Sequence, residues 1–133
     1  MPLISEQKID LPYTYTAGAM QRAGLIGLRE GRIVGAAGGE HVVVPARPFA
    51  IDGTHLTEPV DLPSEGVLEA VTVANHLDGA PAYGLIRLEG ATTLLFHRLG
   101  GGAENAEAGA KVRAVWRDQR QGGIDDIEHW APA

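Results

Sequence analysis

The sequence predicts a mainly β domain in which an N-terminal helix precedes a small five-stranded antiparallel barrel. Three observations predict it. The second half of the chain holds five short runs rich in β-branched and apolar residues. Asp78-Gly79, Glu89-Gly90, Gly100-Gly101-Gly102 and Gly122-Gly123 fall between those runs as turn signals. The only helix-like apolar stripe lies ahead of them, beginning at Ala19. A chain of 133 residues with 44% hydrophobic content fits one domain that can bury a core without metal or disulfide staples.

Each element has its own justification. Residues 1–12 are polar and lack a period, so they read as a tail or an arm lying on a partner. From Ala19, apolar Met20, Ala23, Leu25, Ile26 and Leu28 alternate with outward Arg22, Arg29 and Glu30 at helical spacing, and Gly31 suits the C-terminal cap. Gly24 and Gly27 weaken that helix by about 1 kcal/mol each relative to Ala, unless close packing requires them. Between Ile33 and Gly53, glycines and prolines leave room only for a short strand at Val42–Val44. Residues 54–65, with two prolines, read as a connector. Strands are expected at 66–74, 83–88, 92–99, 111–117 and 124–130.

Charge and composition exclude several functions. Eleven basic against seventeen acidic residues give a net charge of −6, opposite to the footprint of a nucleic-acid or anionic-membrane binder. No apolar run approaches the roughly twenty residues of a membrane span, and the N-terminus lacks a signal-peptide pattern. A cytoplasmic protein is expected. The absence of cysteine excludes a disulfide framework, a thiolate metal site and a cysteine nucleophile together.

Catalytic constellations are sparse. His41, His55, His76, His97 and His129 are too far apart in sequence to provide the close ligand pair usual in metal sites. His97, within an apolar strand, reads as structural ahead of a catalytic base. Ser5 and Ser64 lack the strand–turn–helix setting of a nucleophile elbow. Asp125-Asp126 reads as a solvated acidic edge, with an acid/base couple involving His97 as the competing reading. The glycines at 35, 38 and 39 precede no helix and no Gly-Lys-Ser/Thr, so a phosphate loop fails on context. Arginine supplies nine of the eleven positive charges, a bias suited to planar anions or acidic partner surfaces.

Beyond these readings, a run of motifs resembles a known family. Pro12-Tyr13-Thr14-Tyr15-Thr16-Ala17-Gly18 comes first, and Leu28-Arg29-Glu30-Gly31-Arg32-Ile33-Val34-Gly35 follows. Val44-Pro45-Ala46-Arg47, Gly66-Val67, Ala80-Pro81-Ala82-Tyr83-Gly84-Leu85 and Ala108-Gly109-Ala110-Lys111-Val112 continue it. In order and spacing, over about residues 12–131, they resemble the acyl-CoA-associated OB-fold proteins, domain of unknown function 35. That resemblance implies an N-terminal arm and helix (1–34), a rubredoxin-like zinc ribbon (35–60) and a five-stranded OB barrel (61–133), forming one compact unit. The ribbon's four cysteine positions would fall on Gly35, Gly38, Ala50 and Gly53, so the ribbon is expected to be degenerate and metal-free.

For function, the resemblance implies a non-catalytic accessory subunit of a thiolase-like enzyme, including lipid-transfer-type thiolases and retro-aldol lyases of steroid side-chain degradation. A hydratase-like domain can accompany such complexes. No cofactor would be bound directly, acyl-CoA being the partner's substrate. Partner contacts are expected from Tyr13, Tyr15, Met20, Arg22, Leu25 and Arg29, with the irregular 35–53 loop completing the interface. Arg32 and Arg47 are candidate contacts for CoA phosphates. The competing classes are a stand-alone CoA or acyl-CoA binding OB module, a single-strand nucleic-acid binder, disfavoured by charge and few aromatics, and an enzyme using His97 with Asp125 or Asp126.

Overall fold

The computed structural model describes the backbone of residues 12–133 and the side chains of residues 18–133. One α-helix, α1 (Pro12–Arg29), precedes two antiparallel sheets. β1 (Ile33–Gly38), β2 (His41–Val43) and β3 (Glu58–Leu62) form the first, in the order β2-β1-β3. β4 (Glu65–Val73), β5 (Ala82–Leu88), β6 (Leu94–Arg98), β7 (Lys111–Trp116) and β8 (Ile127–Pro132) form the second, in the order β6-β5-β4-β7-β8. Short 3-10 turns at Ala103–Asn105 and Ile124–Asp126 lead into β7 and β8.

The helix starts earlier than its apolar stripe suggests, at Pro12, a residue whose fixed φ and missing N–H suit a first helical position. It ends where expected. Gly31, at φ +78°, takes the left-handed conformation, Gly31 N–H donates to Leu28 at 3.0 Å, and Arg32 N–H donates to Gly27 at 2.7 Å. These paired bonds satisfy carbonyls that the last turn would otherwise leave bare. The glycines inside the helix are packing positions: a Cβ on Gly27 would stand 2.5 Å from Val34 Cγ2, and one on Gly24 would stand 3.0 Å from Ala46 Cβ. Their absent side chains let α1 lie against β1.

Two strands escaped the sequence reading. β1 (IVGAAG) has small residues covered on both faces, so it shows no polar alternation. β3 pairs with β1 from Ile33↔Leu62 to Ala37↔Glu58, although it contains Pro59. It is an edge strand, where a missing N–H is tolerated. The stretch read as a connector therefore includes a paired strand, and Leu62 at its end is buried. The five expected strands of the second half are present with shifted ends, and 124–126 form a 3-10 turn ahead of β8.

The larger core joins both sheets. Leu28, Ile33, Val44 and Leu62 cluster with Leu68, Ile86, Leu88, Leu95, Val112, Ile127 and Trp130. Each fully buried aliphatic or aromatic side chain there contributes about 1.5–3 kcal/mol relative to exposure. A smaller core of Met20, Ala36, Val43, Ala46, Ala50 and Leu56 lies between α1 and the three-stranded sheet. The sheets are also stitched by threonine hydroxyls: Val42 N–H donates to Thr92 Oγ1 (2.9 Å) and Val44 N–H to Thr93 Oγ1 (3.0 Å), while Thr92 N–H donates to the Val42 carbonyl at 2.7 Å. At the far end, β6 and β8 meet through a parallel bridge, Leu99↔Trp130, with Gly100 N–H donating to Trp130 O at 2.9 Å.

Candidate partner interface

Helix α1 sorts its candidate residues by helical phase. Arg22, Leu25 and Arg29, spaced i, i+3 and i+7, share its exposed face, and Leu25 is 44% exposed. Met20 corrects the expectation. It is buried in the smaller core and offers nothing to a partner, because the close approach of α1 to β1 turns that part of the stripe inward. The side chains of Tyr13 and Tyr15 lie outside the described residues. Beside Leu25, an apolar groove with a cavity of about 140 Å³ opens between α1 and the sheets, floored by Leu28, Val44, Leu95 and Ile127 and edged by Ile124.

Arg32 and Arg47 differ in their surroundings. Arg32 Nη1 donates to Asp61 Oδ1 at 2.7 Å, and its Nε donates to Glu30 Oε1 at 3.2 Å. The Glu30 hydrogen bond leads in raising the guanidinium pKa; burial opposes it and the Asp61 charge reinforces it. An arginine already held by two carboxylates has little capacity left for a phosphate. Arg47 is exposed and makes no ion pair among the described residues.

The expected ribbon positions also need correction. Gly35 and Gly38 both lie on β1, where residues three apart are separated by about 10 Å and face opposite ways, so they do not form a knuckle. The nearby tight turn is instead the β1–β2 connection at 39–40. Ala50 and Gly53 do close a turn, with Gly53 N–H donating to Ala50 O at 3.0 Å. The two loops touch directly. A Cβ on Gly38 would collide with the His55 carbonyl oxygen. His41 Nε2 lies 2.9 Å from Asp52 Oδ2, joining one loop to the other.

Asp52 Oδ1 accepts from Thr54 N–H at 3.0 Å, and hydrogen bonding from Thr54, followed by that from His41, holds the carboxyl down to about 2. Phe49 and His55 pack edge to face at 4.7 Å. Among the described residues, no three His, Asp or Glu side chains gather as a metal site.

Two groups of the catalytic alternative, His97 and Asp126, have backbone partners. His97 is buried, Arg98 N–H donates to its Nδ1 at 2.8 Å, and its Nε2 lies 3.1 Å from Ile124 O. This pattern places the proton on Nε2 and occupies both nitrogens with backbone. Asp126, expected at a solvated edge, is buried. It accepts from the N–H groups of Gln121 (2.8 Å), Gly122 (2.7 Å) and Gly123 (3.1 Å). Asp125 remains exposed, and its carbonyl accepts from Arg117 Nε at 2.7 Å.

Two solved structures are similar to this chain in fold. A DUF35 family protein of unknown function from Sulfolobus solfataricus matches 69% of this chain and 74% of its own, with a TM-score of 0.56 at 20% identity. A chain of the Ltp2-ChsH2(DUF35) aldolase matches 99% of this chain and 98% of its own, with a TM-score of 0.62 at 16% identity. The fold is that of DUF35 proteins. No family model matches the sequence, and no curated protein matches it. The likeness is therefore carried by backbone arrangement. The chain has no cysteine, so it lacks the zinc-ribbon ligands that the family resemblance implies.

Proposed function

We propose that this chain is a non-catalytic accessory subunit that binds a thiolase-like enzyme, of the lipid-transfer-type thiolase or aldolase class, and supports acyl-CoA turnover in lipid or steroid side-chain degradation. The observation that carries the reading is end-to-end similarity in fold to a chain of the Ltp2-ChsH2(DUF35) aldolase, covering 99% of this chain and 98% of that one. Helix α1 of the present chain exposes Arg22, Leu25 and Arg29, and Leu25 lines an apolar groove, an arrangement suited to a protein partner. In this reading β4–β8 are the OB barrel, closed by the β6–β8 bridge. The region from β1 to β3 is a ribbon whose metal centre has given way to apolar packing. The complex is cytoplasmic, can include a hydratase-like domain, and leaves acyl-CoA binding and all cofactors to the enzyme subunit.

Support for a non-enzymatic role comes from His97 and Asp126, whose polar atoms bond to backbone. The test is co-expression with a thiolase-like subunit encoded beside this chain. A stable hetero-oligomer in which this chain raises the partner's turnover of an acyl-CoA substrate is the expected result. A monomer that leaves that turnover unchanged overturns it. Calorimetric binding of CoA to the isolated chain would favour a stand-alone CoA module.

A further inference from the structure

We propose that the outer face of β5 and β6, with the loop that leads into β8, binds a nucleobase carried on a nucleoside or mononucleotide. The site goes beyond the accessory-subunit reading and does not depend on it. Tyr83 on β5 and Phe96 on β6 stack with ring centroids 5.2 Å apart and planes inclined by 14°, in a chain with only 5% aromatic content. Phe96 is 56% exposed. Beside the stacked rings a cavity of about 270 Å³ opens, lined also by Arg98 of β6 and by Arg117, Asp125 and Glu128. A concave surface combining a flat apolar wall with a few polar groups has the make-up of a small-molecule site.

The loop side of this cavity is already fixed. Arg117 Nε donates to Asp125 O at 2.7 Å, His97 Nε2 lies 3.1 Å from Ile124 O, and buried Asp126 gathers the N–H groups of residues 121–123. A wall held this way has little freedom left to lose when a ligand arrives.

The four charged side chains select the ligand by what they have left to bond. Arg117 Nη1 lies 3.5 Å from Glu128 Oε2, so these two answer each other. Arg98 and Asp125 are exposed, and among the described residues only their backbone atoms have hydrogen-bond partners. The cavity therefore offers a stacking surface, one guanidinium that only donates and one carboxylate that only accepts, with the charges in balance. A nucleobase supplies the complement: a π-face for Phe96, ring-nitrogen and carbonyl acceptors for Arg98, and N–H donors for Asp125. Guanine carries all three, with O6 and N7 as the acceptor pair that arginine pairs with. A nucleic-acid strand is a poorer occupant, because its phosphates need a basic surface and this chain has a net charge of −6.

The test is calorimetric titration of the full chain with guanosine monophosphate, and with ribose 5-phosphate and glucose as probes that lack a base. Guanosine monophosphate is expected to bind and the other two to give no heat. Because the Phe96 side chain is largely in solvent, Phe96→Ala is expected to keep the wild-type circular dichroism and melting temperature while weakening Kd by about tenfold or more. Asp125→Ala is expected to weaken it by about tenfold as well. Absence of guanosine monophosphate binding overturns the site, as does Phe96→Ala binding within about twofold of wild type. Ribose 5-phosphate or glucose binding as tightly as the nucleotide assigns the cavity to a phosphate or a sugar and overturns the base. None of these measurements involves an enzyme subunit, so the accessory role is tested separately.

Discussion

Asp126 is the carboxylate on which the 121–123 loop is built. Burial pushes its carboxyl pKa up, but N–H donation from Gln121, Gly122 and Gly123, together with the Arg120 charge, outweighs burial and leaves it below the ordinary 3.8. A depressed folded-state value means the ionised form stabilises the fold. That contribution is fully present above 3.8 and is lost as pH falls through the lower folded value. Asp126→Asn, which replaces an acceptor-only group with one that also donates, is expected to cost about 1–3 kcal/mol at neutral pH. The gap to wild type should narrow as the solution is acidified below 3.8, measured by urea unfolding across pH. A gap that stays constant in acid would show that the charge has no part in holding the loop. In the sequence, Asp125-Asp126 shows only two acids in a row; the partners of Asp126 are backbone amides, which leave no mark in the residue pattern.

At the level of elements, legibility followed the coverage of each strand. β5 and β7 were readable because their buried and outer positions differ in polarity. β1 was not, because α1 covers one face and the interior the other, so its small residues carry no alternation. β3 was masked by Pro59, acceptable only because nothing pairs beyond that edge. Met20 followed a helical period, yet periodicity cannot say which of two apolar surfaces takes the stripe, and the smaller core claims it.

The glycines that permit this close packing have different tolerances. Gly27→Ala gains about 1 kcal/mol of helix propensity but overpacks Val34, a cost of about 1–3 kcal/mol, so a small net destabilisation is expected. Gly38→Ala meets a backbone carbonyl, which cannot rotate away, and is expected to lose about 3 kcal/mol or more. Denaturant midpoints that rank these two variants the other way would contradict the loop contact.

For the whole molecule, the continuity of the larger core decides how the two sheets unfold. Leu28 from the helix, Ile33 and Leu62 from the first sheet and Val44 just after β2 share a cluster with the interior of the second sheet. Their shared interior predicts a single cooperative transition, with far-ultraviolet circular dichroism and calorimetry giving coincident midpoints. Removing the Thr92 and Thr93 hydroxyls together should lower that midpoint without splitting it, since the apolar joint remains. Two separated transitions in wild type would mean that the sheets are independent.

The approach of Gly38 to His55 also limits what position 38 can hold. The His55 carbonyl fills the space in which any side chain at position 38 would begin. Gly38→Cys alone would therefore break the loop apart before it could create a ligand. A single substitution therefore cannot give this turn a side chain at position 38; both loops would have to be rebuilt together.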